Sequence, residues 1–201
     1  MSKLLYIKAN PKNDDASRTF RISEQFIKTY KEYNPQDEII TLDLYKEKIH
    51  FLTLDDINSI FGPKTDSSKD HPILKYAYQF AEADKYVIAA PMWNLGIPSI
   101  LKAYIDYITV SGITFKYTEQ GAVGLMKGKK AVHIMATGGE YTHGPFSGFE
   151  MANRYIKAIL TFMGIEVVET IVAERLDIIG EDVEKIVSEA TKRAQEVAKT
   201  F

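Results

Sequence analysis

The chain has 201 residues, 45% of them hydrophobic and 26% charged, the balance of an ordinary globular protein able to bury a substantial core within one domain, residues 1–201. Its formal net charge of −2 argues against a broad surface for nucleic acid or for acidic membranes. There is no cysteine, which excludes disulfides, thiolate nucleophiles, iron–sulfur clusters and cysteine zinc sites.

Met1-Ser2-Lys3 runs straight into a short apolar stretch, without the hydrophobic segment and small-residue cleavage site of a secretory signal. No apolar run approaches the roughly 18–20 residues of a membrane span. The expectation is a cytoplasmic protein.

Leu4-Leu5-Tyr6-Ile7 suits a buried parallel strand and leads into a polar turn over residues 8–16. A helix is predicted from near Ser17, with Phe20, Ser23, Ile27 and Tyr30 at helical spacing, ending at Asn34-Pro35. Residues 38–44 read as a second strand, so the chain opens as a βαβ unit. Residues 45–70 are less legible: 53–57 could open a short helix, and 62–68 read as an exposed loop, either a lid or dimer contact or a plain surface excursion. A helix is predicted after His71-Pro72 through Phe80-Ala81, then a third strand over 86–90.

That strand ends in Pro91-Met92-Trp93-Asn94-Leu95-Gly96-Ile97-Pro98, a loop stiffened by two prolines and offering apolar surface beside free N–H groups. It suits a flat, partly apolar ring, or else is a rigid turn whose Trp93 packs on a neighbour. Pro98 is placed at the first position of a helix over 99–107. Residues 112–118 read as extended, with a turn over 121–124; 131–136 as a fourth strand ending in Thr137-Gly138-Gly139; and Phe149, Ala152, Ile156, Leu160 and Met163 as a helix face stopped at Gly164. A fifth strand over 165–173 and a last helix over 183–197 complete the pattern. Five strands alternating with helices predict an α/β, flavodoxin-like doubly wound parallel sheet in the order 2-1-3-4-5, with helices on both faces.

In that order the carboxyl ends of the first, third and fourth strands share a crevice. The loops 10–19, 92–96 and 137–141 would meet there. Ser17-Arg18-Thr19 brings two hydroxyls, a guanidinium and unpaired N–H groups to a helix N-terminus, which suits a phosphate; the alternative is that Ser17 is only an N-cap. Gly138-Gly139 admits close backbone approach to a ligand, or is only a turn. Other chemistries find no support. There is no G-x-G-x-x-G after the first strand, Gly124-Leu125-Met126-Lys127-Gly128-Lys129-Lys130 is one residue short of a P-loop, and Pro145-Phe146-Ser147-Gly148 fails as a nucleophile elbow. His50, His71, His133 and His143 have no zinc spacing, so no metal is expected. His133 reads as a core residue, and His143 is the histidine placed to touch a ligand.

Residues 91–95, 97–99 and 101–106, then Gly112, Thr114-Phe115, Tyr117-Thr118-Glu119, Gly121, Gly124-Leu125, Lys127-Gly128-Lys129-Lys130 and Gly138-Gly139 resemble the FMN-dependent NADH-azoreductase and NAD(P)H quinone oxidoreductase family. The resemblance implies a homodimer with FMN in each subunit, reduced by NADH or NADPH and reoxidised by a quinone or azo compound in a ping-pong exchange. The flavin carries the chemistry, so no catalytic side chain is implied. By position, Asn10, Ser17, Arg18 and Thr19 would hold the phosphate side. Pro91, Met92, Trp93, Asn94, Leu95 and Gly96 would line the isoalloxazine, and Ala136, Thr137, Gly138, Gly139 and Tyr141 its pyrimidine edge. Trp93, Phe115, Tyr117 and His143 would face the substrate, with Phe115 and Tyr117 as an aromatic wall that the other subunit could lend. Where Asn10, Trp93 and Leu95 stand, the family often has serine, tyrosine and phenylalanine, a change that bears on acceptor preference more than on flavin binding. A flavodoxin-type electron carrier is the alternative, but it needs a strongly acidic docking face that the near-neutral charge does not offer. A non-redox nucleotide-binding regulator would be colourless.

Overall fold

The three central strands of the sheet bury both faces and the two edge strands are partly exposed, as in a sheet covered on two sides. The computed structural model describes residues 1–62 and 64–201. Its parallel sheet consists of β1 (Lys3–Lys8), β2 (Glu38–Asp43), β3 (Lys85–Ala89), β6 (Lys130–Ala136) and β7 (Glu166–Ala173), in the order β2-β1-β3-β6-β7. With β6 and β7 as fourth and fifth sheet strands, this is the expected 2-1-3-4-5 order. Along β1 the side chains alternate. Leu5 and Ile7 join a core under α3 (Leu74–Glu82), α4 (Ser99–Ile108) and α5 (Ala152–Met163), whereas Leu4 and Tyr6 join one under α1 (Arg18–Tyr33) and α6 (Val183–Thr200). Ala89 lies opposite both Lys8 and Ile134. The chain therefore leaves β1, β3 and β6 at one edge, at Ala9, Ala90 and Thr137.

The helix boundaries follow from capping chemistry. Ser17 caps α1, its Oγ accepting from Phe20 N. Gly164 ends α5 in the left-handed conformation at φ 92°, with its N–H on the Leu160 and Thr161 carbonyls. Pro98 is the N-cap of α4 rather than its first helical residue. Phe149, expected on the α5 face, belongs to a separate 3₁₀ turn, Ser147–Phe149.

Two stretches differ more from the sequence reading. Residues 121–124 form a strand, not a turn: β4 (Phe115–Thr118) and β5 (Gly121–Gly124) pair as an antiparallel hairpin outside the main sheet. The two glycines suggested a turn, but the chain reverses at Glu119-Gln120, and of the two only Gly124 lies against the end of α5. Between β2 and α3, α2 (Leu54–Ile60) starts with a capping box between Thr53 and Asp56. Part of the expected 62–68 loop is a 3₁₀ turn, Asp66–Asp70, and Pro63 of that loop lies outside the described residues. Phe51, Leu54 and Phe61 are exposed along this segment.

Candidate functional site

The proline-fenced loop is a two-residue reversal. Trp93 and Gly96 exchange two backbone hydrogen bonds of 2.9 and 3.0 Å, and Asn94 and Leu95 between them have φ of 48° and 69°. Positive φ at both central residues is the type I′ turn. It is unusual for leucine and costs of order 1–3 kcal/mol of strain. The surroundings hold it: the Leu95 carbonyl accepts from Met151 N at 3.0 Å, and Met92 N donates to Ala136 O at 3.1 Å. Met92 packs on Met135, Ala152 and Tyr141 underneath. The Asn94 and Leu95 N–H groups have no acceptor among the described residues and project from the turn.

The first loop is organised by Asn10 and Ser17, both buried. Asn10 Nδ2 donates to Ser17 Oγ at 3.1 Å, and Phe20 N donates to the same oxygen at 3.2 Å. With both lone pairs engaged, the Ser17 hydroxyl proton is free to donate. Thr19 Oγ1 is buried with no hydrogen-bond partner among the described residues, a rare and costly condition for a hydroxyl. Arg18 N and Thr19 N, in the first turn of α1, also have no acceptor among the described residues. Five donors therefore converge at the tip of α1 once the Arg18 side chain is included. That guanidinium is engaged with Asp177, Nη1 to Oδ1 at 2.8 Å. Beneath the loop, buried Lys8 joins Asp14 and Glu24 and so ties the loop to α1.

The third loop is clamped to the chain leaving β7. Arg175 N donates to Gly139 O and Asp177 N to Gly138 O, both at 3.0 Å. Glu174 Oε2 accepts from Tyr141 N, Thr142 N and Thr142 Oγ1. A Cβ on Gly138 would lie 2.3 Å from Asp177 Oδ2, and one on Gly139 would lie 2.7 Å from the Tyr141 ring. The two glycines thus let the Asp177 and Tyr141 side chains lie close against the backbone of this loop.

One cleft of about 340 Å³ brings together Asn10, Ser17, Arg18, Thr19, Pro91, Met92, Trp93, Ala136, Thr137 and Gly138. Asn94, Leu95 and Gly96 complete the turn at its rim without lining it. Gly139, Tyr141 and His143 line a separate neighbouring recess. Phe115 and Tyr117 do not line the cleft of their own chain: Phe115 is buried against Phe162, with ring centroids 4.9 Å apart, and Tyr117 is 73% exposed on the hairpin. Sequence reasoning missed Lys12, Ala16, Leu176 and Asp177, which also line the cleft. The last two follow the fifth strand, and their position at the carboxyl edge was the available signal.

His133 lies in β6, fully buried, with Nδ1 3.2 Å from Asn153 Oδ1 and Nε2 without a partner among the described residues. Burial pushes its pKa below the ordinary histidine value. The unfolded chain then binds a proton that the folded chain refuses. This contribution to stability is complete above about pH 6.5 and is lost as pH falls below it, at up to about 1.4 kcal/mol per pH unit. The melting temperature should drop between pH 7.5 and 5.5 by more in the wild type than in His133→Gln. An equal drop in both would place the titration elsewhere.

Among the described residues no helix is long and apolar enough to cross a membrane, and no group of histidines and carboxylates could hold a metal. Residues 2–198 match the family described by its flavodoxin-like fold. The chain is 77% identical over 201 residues, the full length of both, to the FMN-dependent NADH:quinone oxidoreductase of Caldicellulosiruptor saccharolyticus. It is 61% identical, again over both full lengths, to the protein of that name from Clostridium beijerinckii. Among solved structures it resembles the azoreductase of Bacillus anthracis strain Sterne, with 38% identity, TM-score 0.91 and full coverage of both chains. It also resembles an FMN-dependent NADH-azoreductase of B. anthracis strain Ames Ancestor in complex with FMN, with 31% identity, TM-score 0.87, and 100% of this chain and 99% of that one covered. The chain belongs to the flavodoxin-like family of FMN-dependent NADH:quinone oxidoreductases and azoreductases.

Proposed function

We propose that the protein reduces quinones and aromatic azo compounds with NADH in a ping-pong cycle, with FMN held in the cleft between the tip of α1 and the Trp93–Gly96 turn. The observation that carries this reading is the buried, unpartnered Thr19 hydroxyl beside the free Ser17 proton and the first N–H groups of α1, a donor set that fits a phosphomonoester dianion. The rest of the cleft fits as well. Met92 and Trp93 offer an apolar wall for a fused ring, and the unpaired N–H groups of Asn94, Gly138 and Gly139 would hold its polar edge and stabilise negative charge there. When bound, FMN supplies hydride acceptance and donation; the protein binds, orients and shields. Because one face of the ring lies against the turn, reductant and acceptor would occupy the other face in succession.

The apolar side chains of Phe51, Leu54, Phe61 and Tyr117 are left exposed and support a homodimer, in which Tyr117 rather than the buried Phe115 would reach a second copy. A chain without cysteine that consumes reduced nicotinamide fits the cytoplasm, acting on small molecules rather than on nucleic acid or membrane.

The purified protein should show a flavin absorbance spectrum that bleaches on anaerobic addition of NADH and returns with a quinone. Double-reciprocal plots should give parallel lines. A bleached protein that oxidises NADH no faster with quinone present would be an electron carrier instead. Trp93 is 38% exposed at the cleft, so Trp93→Tyr should shift the ratio of kcat/KM between a quinone and an azo dye by about tenfold, the scale of pocket-shape discrimination, with FMN content unchanged. A parallel loss of both acceptors together with FMN would show that Trp93 holds the cofactor instead.

A further inference from the structure

Beside the cleft is a recess of about 480 Å³, walled by Tyr141, His143, Pro145, Phe146 and Ile178 and floored by Gly139. The two cavities are separate, but consecutive residues line them at two places in the chain. Gly138 and Asp177 line the cleft, and the next residues, Gly139 and Ile178, line the recess. Its size is that of a small-molecule site. Phe146 is 57% exposed and is stacked on Phe149, with ring centroids 6.3 Å apart and planes 27° from parallel. The one charged residue lining the recess is Glu140, and it is held by Arg175, which Glu181 also engages.

We propose that this recess takes the adenosine half of NADH and that Glu140 selects NADH over NADPH; this rests on the reading of the cleft as the flavin site. A dinucleotide whose nicotinamide reaches the cleft must place its adenosine within one pyrophosphate linker of it, and the recess is lined by Gly139 and Ile178, the residues that directly follow Gly138 and Asp177 of the cleft. A quinone or azo dye has no such second half to seat. The lining matches the occupant: Tyr141, Phe146 and Ile178 bracket a flat neutral ring, and base–aromatic stacking tolerates the exposure of Phe146. A carboxylate at the rim accepts hydrogen bonds from a ribose 2′-hydroxyl and repels a 2′-phosphate. Arg175 does not reverse this preference, because Glu140 and Glu181 together outnumber its charge.

The test uses FMN-loaded enzyme with benzoquinone and compares NADH, NADPH and reduced nicotinamide mononucleotide, which lacks adenosine. Phe146→Ala, and independently Ile178→Ser, should lower kcat/KM for NADH about tenfold, leaving the mononucleotide and the KM for benzoquinone unchanged. Glu140→Gln should raise the NADPH-to-NADH ratio about tenfold. ADP-ribose, titrated calorimetrically, should bind the wild type and bind Phe146→Ala more weakly by the same factor. Equal effects on NADH and the mononucleotide, an unaltered NADH value, or ADP-ribose binding that ignores Phe146 would each overturn the assignment. A protein that takes no FMN or oxidises no NADH would refute the cleft reading, and the ADP-ribose titration would still report on the recess.

Discussion

Replacing Ser17 with alanine and Thr19 with valine together should weaken FMN binding by about 3–6 kcal/mol, each lost bond to a charged phosphate contributing about 1.5–3 kcal/mol. That corresponds to a fall of roughly 10²–10⁴-fold in affinity. The expectation follows from the use of the hydroxyl groups within the protein. Ser17 Oγ already accepts from Asn10 Nδ2 and Phe20 N, which leaves its proton free to donate, and Thr19 Oγ1 has no partner among the described residues. Thr19→Val removes an unsatisfied group and should leave the flavin-free protein as stable or more so. Ser17→Ala also removes the cap of α1, at about 1 kcal/mol. Ser17→Gly, a tolerated cap without a hydroxyl, separates the two roles: it should lose FMN affinity while nearly keeping the melting temperature. Fluorescence titration of the flavin-free protein with FMN gives the affinity directly. If the double variant binds FMN as tightly as the wild type, these groups serve α1 alone and the phosphate lies elsewhere.

The parts of the molecule legible in the sequence were those where one physical rule dominated. Alternating strands and helices with continuous apolar runs fixed a doubly wound sheet, and Gly164 marked a helix end because only a residue at ease with φ 92° closes it cheaply. Ser17, Trp93 and Gly138 could be placed together because their loops leave neighbouring strands at one edge. What stayed hidden depended on partners distant in sequence. Nothing in Asn94-Leu95 announces two positive φ values, since leucine rarely adopts them and it is the grip of Met151 and Ala136 on the flanking chain that sustains the turn. Leu176 and Asp177 have neither glycine nor aromatic character to flag them, and they reach the cleft through backbone bonds to Thr137 and Gly138. Gly124 misled for a related reason: its lack of a side chain serves contact with another element, not a reversal of its own strand.

That contact makes Gly124→Ala the substitution expected to damage the fold most. A Cβ at Gly124 would sit 2.2 Å from the Met163 carbonyl carbon and 2.4 Å from both Met163 O and Gly164 N. All three are backbone atoms at the end of α5, so no rotamer change relieves the overlap. Nor can the hairpin slide away freely, because Leu125 N donates to Thr114 O at 3.0 Å and Met126 N to Met163 O at 2.9 Å. Either those bonds break or the last turn of α5 shifts, and buried Met163 shifts with it. A cost of about 3 kcal/mol or more is expected for overpacking against fixed backbone, which in a chain of this size lowers the melting temperature by roughly 6–12 °C. Gly148→Ala is the matched control, since nothing lies within 4 Å of its Cβ position and no positive φ is recorded there; it should melt within a degree or two of the wild type. The hairpin carries Tyr117 but no residue of the cleft, so Gly124→Ala should retain FMN affinity below its melting point while weakening the self-association proposed for this face. A variant that melts with the wild type would mean that β5 does not lie against α5 in solution, and the placement of Tyr117 toward a second copy would lose its basis.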